Sequence, residues 1–121
     1  MIITLQYLRE HTDHIFVFGD NLTRSGYGGA AKLRDELNTY GFITKRAPDN
    51  DDASFYKPDE YKSIYDEEIR RLTAITLLFF DKKFLISRLG AGLANRYAIF
   101  EEVIEPNIKT DLQFDNVEFL W

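Results

Sequence analysis

The chain contains no cysteine. Disulfides and thiolate metal sites are therefore excluded, and the absence fits a reducing compartment. Histidine is scarce: His11 and His14 stand close together with no other cluster of ligand-type residues beside them, which argues against a metal site. No apolar run is long enough to cross a bilayer, and Met1–Gln6 has neither a basic leader nor a long apolar run. Basic residues are the minority, 15 Lys and Arg against 20 Asp and Glu, for a net charge of −5. Such a chain lacks the electrostatic footprint of a protein that tracks long nucleic acid, although a local basic spot remains compatible with a single nucleotide. The G-x-G-x-x-G fingerprint, the Walker A loop, the G-x-S-x-G elbow and a Ser-His-Asp pattern are all missing, as are internal repeats. These absences leave the expectation of one cytoplasmic domain over residues 1–121, with no cofactor and no membrane partner.

What the sequence does have is glycine in two places. Six of the chain's seven glycines fall in two loops: Gly19, Gly26, Gly28 and Gly29 in the first, Gly90 and Gly92 in the second. Ile15–Phe18 is a continuous apolar run with β-branched and aromatic residues, expected to be a strand buried on both faces and to stop at Gly19. Asp20 and Asn21 follow, then the glycine-rich segment, then Ala30–Tyr40 as the expected first helix. Leu33 and Leu37 form its buried stripe at i, i+4, Lys32, Arg34, Asp35 and Glu36 its solvated face, and Gly41 its C-terminal cap. A strand, a glycine loop and a helix N-terminus together present backbone N–H groups to an anion, usually a phosphate.

The rest of the chain reads as alternating strands and helices. Residues 2–5 suggest a short edge strand and Gln6–His11 a helical turn, with Leu5 and Leu8 inward. Phe42–Thr44 is the next strand, extending to about Lys45 or Arg46 and ended by Ala47-Pro48-Asp49. Residues 49–60 form a long acidic loop around two aromatics, a candidate lid. Tyr61–Phe80 is the longest helix, with Ile64, Ile69, Leu72, Ile75 and Phe79 at helical spacing. Lys83–Ser87 is a strong strand, Tyr97–Ile104 a helix, and Asn116–Trp121 a closing strand in which Val117, Phe119 and Trp121 alternate. The alternation predicts an α/β fold with layers of helices on a mostly parallel sheet. Ligands of such sheets bind beyond the carboxyl ends of the strands.

The candidate ligand-binding residues are Gly19, Asp20, Asn21, Gly26, Tyr27, Gly28, Gly29 and Ala30 in the first loop, and Arg88, Leu89, Gly90, Ala91, Gly92, Leu93 and Arg96 in the second. Arg88 and Arg96 are suited to neutralising a diphosphate, or to pairing with Asp20 or the acidic loop. Tyr27 is placed either to stack on a sugar or base or to pack over its own loop. Asp20 and Asn21 are the candidate catalytic residues, as a general base or water-positioning pair, against a plain structural role for a loop carboxylate.

Taken together, IFVFGDN, GYGGAAKL and FLISRLGAGLANRYAIFEEVIEP resemble the loops of small bacterial and phage macrodomain-like proteins, and more distantly the macrodomains that bind ADP-ribose. The resemblance covers about residues 12–110 and is most specific in the two glycine loops. It implies a three-layer α/β/α macrodomain-like sheet. It also implies binding of an ADP-ribose-like nucleotide, with Asn21 near the ribose and Gly90 and Gly92 around the diphosphate. Where such domains are hydrolases, they hold ADP-ribose and position a water. This chain has Asp20 where that group has serine, Tyr27 near its histidine, and Asn95–Arg96 in place of a glycine. The alternative is a non-catalytic interaction or accessory protein, with phage derivation one source, that keeps the fold without a nucleotide.

Overall fold

A computed structural model describes residues 2–121. Helix α1 spans Leu5–Glu10, strand β1 His14–Asn21, β2 Thr39–Lys45, helix α2 Pro58–Leu78, β3 Lys83–Ile86, α3 Ile108–Asp111 and β4 Val117–Phe119. The four strands form one sheet in the order β2-β1-β3-β4, and every neighbouring pair is parallel. The expected α/β class and parallel sheet are present.

Alternation along β1 divides the core. Val17 packs on one face with Phe42, Phe84, Ile86 and Leu72 of α2. Phe16 and Phe18 pack on the other with Leu85, with Ile3 and Leu8 around α1, and with Ala31 and Leu33 of the β1–β2 connection. Val117, Phe119 and Trp121 join the first cluster while Leu120 joins the second, as their alternation predicts.

Several boundaries differ from the sequence reading. Residues 2–4 form no strand; α1 begins at Leu5, with the Thr4 hydroxyl accepting from the Tyr7 N–H, and Leu5 faces outward. Strand β1 runs through Gly19 to Asn21. The expected helix over Ala30–Tyr40 is a single 3₁₀ turn, Gly29–Leu33, and Leu37 is fully exposed. Side-chain contacts of Asn38 and Thr39 accompany its end. The Asn38 amide donates to the Leu8, His11 and His14 carbonyls, and the Thr39 hydroxyl to that of Glu36. Residues 39–41 are thereby drawn into β2. The expected helix at Tyr97–Ile104 is one wide π-type turn, Phe100–Ile104, and the N–H of Phe100 donates to the Asn95 side-chain oxygen.

Helix α2 does more than cover a face. Ile64, Ile69 and Ile75 pack partly buried against the core as expected, but its buried residues are Tyr61, Tyr65, Glu68, Leu72 and Thr76, and Phe79 is exposed beyond its end. β2 is an edge strand, and edge strands carry unpaired backbone groups. The Glu68 carboxylate accepts from the Ile43 N–H at 2.6 Å, and the Tyr61 hydroxyl donates to the Ile43 carbonyl. Side chains of α2 thus satisfy both groups of one edge residue. We expect Glu68→Ala to leave the buried Ile43 N–H without a partner and to cost about 1–3 kcal/mol, read as a lowered midpoint in urea denaturation. An unchanged midpoint would mean that water replaces the carboxylate.

Candidate functional site

Topology determines where the sheet opens. The connection from β1 to β2 covers the face of Phe16 and Phe18, whereas β3 leads into the segments that pack on the opposite face. The chain therefore leaves two adjacent parallel strands, β1 and β3, in opposite directions, and a crevice opens at their carboxyl ends. A cleft of about 370 Å³ lies there.

Both glycine loops line it. Gly19, Asp20, Asn21, Gly26, Gly28, Gly29 and Ala30 contribute from the first, and Arg88, Leu89, Gly90, Gly92 and Leu93 from the second. Three candidates lie outside. Tyr27 is exposed, its hydroxyl donating to Asp35 at 3.0 Å, a bond to a carboxylate that raises the phenol's pKa. Ala91 is not on the wall, and Arg96 lies against Phe55. Sequence reasoning missed Ser25, Ala31, Thr44, Lys45, Pro48, Ser87 and Ala94, which complete the lining. Thr44, Lys45 and Pro48 follow from β2 reaching the same rim, and the other four are neighbours of the two glycine loops.

Gly90 has φ +77°, and a Cβ there would stand 2.6 Å from Ile104 Cδ1, so this turn admits no side chain. By contrast, a Cβ on Gly92 would meet nothing within 4 Å.

Asp20 has a structural assignment. Its side chain is only 2 % exposed, and Arg34 reaches it at 2.7 Å and Arg24 at 3.3 Å. The same Arg34 donates from Nε to the Gly26 carbonyl and from its terminal nitrogen to that of Ser25. Arg24 also donates to the Gly41 carbonyl at 2.8 Å. One buried carboxylate thus anchors the whole first loop to the sheet. Asp20's expected alternative partners, Arg88 and Arg96, are elsewhere. Arg88 lies over the Phe100 ring, and Arg96 pairs with Asp52 of the acidic loop at 3.4 Å. Asn21 is also engaged: its amide donates to the Ser25 carbonyl, and its oxygen accepts from the Thr23 N–H and hydroxyl. Both candidate catalytic side chains therefore have partners within the loop.

The acidic segment is fastened down rather than extended. Phe55 and Tyr56 are buried, Phe55 bridges to Lys45, and Arg46 donates to the Ala53 carbonyl and to Glu60. Asp52 accepts from the Tyr97 hydroxyl and pairs with Arg96, tying the segment to the second loop. Among the described residues no group of three or more potential metal ligands occurs, and no helix is long and apolar enough to cross a membrane.

Residues 1–98 match the family described as "Family of unknown function (DUF7831)". The chain belongs to that family. The matched span contains both glycine loops, Lys45 and the acidic segment, and ends before α3 and β4. No curated protein and no solved structure matches the chain.

Two measurements check this geometry. Arg34→Met should leave Asp20 underpaired in a buried setting and lower stability by about 3 kcal/mol, with part of the loss recovered when Asp20→Asn is added. Additive losses would mean that the two side chains do not act together. The Tyr97 bond, followed by Arg96, holds the Asp52 carboxyl below its ordinary range. Its folded-state pKa is depressed, so its contribution is present above the unfolded value and is lost as pH falls through the folded one. Amide exchange of residues 50–56, corrected for its intrinsic pH dependence, should accelerate over that acidic interval in the wild type. It should show no such step in Asp52→Asn.

Proposed function

We propose that this chain binds an ADP-ribose-like or related nucleotide in the cleft between β1 and β3. The observation that carries the reading is the meeting of two independent glycine loops across one cleft at the sheet's switch point. Backbone can approach a phosphate closely at Gly28, Gly29 and Gly92, and neither a backbone nor a side-chain acceptor is bonded to the N–H of any of these residues. The macrodomain-like arrangement of three layers belongs to this reading, with α1 and the 3₁₀ turn on one side and α2 on the other.

Binding is favoured over hydrolysis. Asp20 and Asn21, the groups suited to positioning a water, already hold the loop together. The same engagement supports the second reading, a non-catalytic interaction protein that keeps the fold without a nucleotide. Long nucleic acid and membranes are not partners in either reading, and the cytoplasm is the proposed location.

Thermal denaturation with ADP-ribose, NAD, AMP, ATP and cyclic nucleotides separates the two. A ligand at about 100 times its Kd adds about 2.7 kcal/mol to the native state and raises Tm by several degrees. We expect that shift with ADP-ribose, and its loss in Gly92→Leu, where the new side chain enters open cleft space without a clash. A folded sample that no nucleotide stabilises would favour the interaction protein.

A further inference from the structure

Lys45 ends β2 opposite Asn21 and borders the cleft. It is 8 % exposed. Lysines are almost never this buried without a carboxylate partner, because taking an ammonium out of water costs several kcal/mol. Lys45 has no such partner: none of the ion pairs among the described residues includes it. The acid nearest in sequence, Asp49, offers only its backbone carbonyl, 2.8 Å from Nζ. The Asp49 carboxylate forms no ion pair with Nζ, and its Oδ1 accepts from the Ser54 hydroxyl and the Asp51 N–H. The Phe55 ring lies 4.4 Å from Nζ, and Arg96 stacks on that same ring at 3.8 Å, adding further positive charge. Across the cleft the one lining carboxylate, Asp20, is already matched by Arg24 and Arg34.

An ammonium has three donors, and one carbonyl and one ring face do not satisfy them. Burial accordingly pushes the Lys45 pKa down, with Arg96 acting in the same sense and Asp49 opposing it. The fold thus places a buried lysine without an ion-pair partner among the lining residues of an otherwise glycine-rich cleft.

We infer that Lys45 is the counter-charge for a phosphoryl group of the bound ligand, pairing with that group where no carboxylate of the protein forms an ion pair with the lysine. The inference rests on the nucleotide reading for the identity of the whole ligand but not for the anion. It makes Lys45 a binding residue that acts as a point charge, with Asp49 and Phe55 positioning its amine.

Calorimetric titration of ADP-ribose and of inorganic pyrophosphate into the wild type, Lys45→Met and Lys45→Arg tests it. Methionine keeps the length of the stem and removes the charge. We expect Lys45→Met to lose roughly tenfold or more in affinity for both anions, and Lys45→Arg to retain more of it. We also expect unliganded Lys45→Met to melt no lower than the wild type, because it discards an uncompensated buried charge. Equal ADP-ribose affinity in the wild type and Lys45→Met would overturn the inference and leave the nucleotide reading standing. Pyrophosphate binding that needs Lys45, with no binding of any nucleotide, would do the reverse. A Tm several degrees lower in unliganded Lys45→Met, with anion affinity unaffected in Lys45→Arg and Lys45→Met alike, would make Lys45 a fastening for the acidic segment.

Discussion

The buried carboxylate of Asp20 is the constraint on which the site depends. An anion at that depth must be neutralised, and it is, by two arginines from the loop that follows it. Because Arg34 comes from beyond the glycines, satisfying Asp20 folds residues 21–34 back over the strand end. The cleft wall is the outcome of that closure. Room for the carboxylate comes from β2: a Cβ at Gly41 would stand 2.3 Å from Asp20 Oδ2. Carboxylate, guanidinium and missing side chain are three parts of one device, contributed by β1, the loop and β2.

This arrangement gives an acidic protein a cationic recess. The surface carries the excess of Asp and Glu, while inside the cleft the single carboxylate is matched and Lys45 and Arg88 are left without carboxylate partners. Net charge of the chain and local charge of a site are different quantities, and here they have opposite signs. Excess negative charge outside would repel polyanions, whereas a small anion that reaches the recess meets uncompensated positive charge.

Much of this was legible in the residues themselves. The apolar runs at 15–18 and 83–86 gave two central strands, and glycine density gave both loops of the cleft. Twelve residues named from those loops line it. What pattern could not supply was the result of distant polar contacts. Leu33 and Leu37 have helical spacing, but Asn38 binds three carbonyls around α1, and the chain straightens into β2. A helix carried to Tyr40 makes Gly41 a cap and Arg34 a solvated side chain, although the strand that follows is read to about Lys45 or Arg46. Glu68 was hidden for a similar reason: a charged residue on a helical stripe reads as surface until an edge strand is seen beside it.

The all-parallel sheet has a consequence for how the chain reaches its structure. Parallel neighbours cannot be joined by a tight hairpin, so every strand pair closes a long loop. Phe16 meets Thr39, Phe84 meets Val117, and Val17 waits for Ile86, far along the chain. Loop-closure entropy must be met before any of these contacts returns energy, which places the chain among slower-folding topologies for its size. α2 is the one long element that forms from local contacts, and it already carries Tyr61 and Glu68, the two groups that receive β2. During synthesis β1 emerges early yet stays unpaired on its β3 side until residues 83–86 have followed, so an apolar strand must remain out of other associations for most of the time the domain takes to be made.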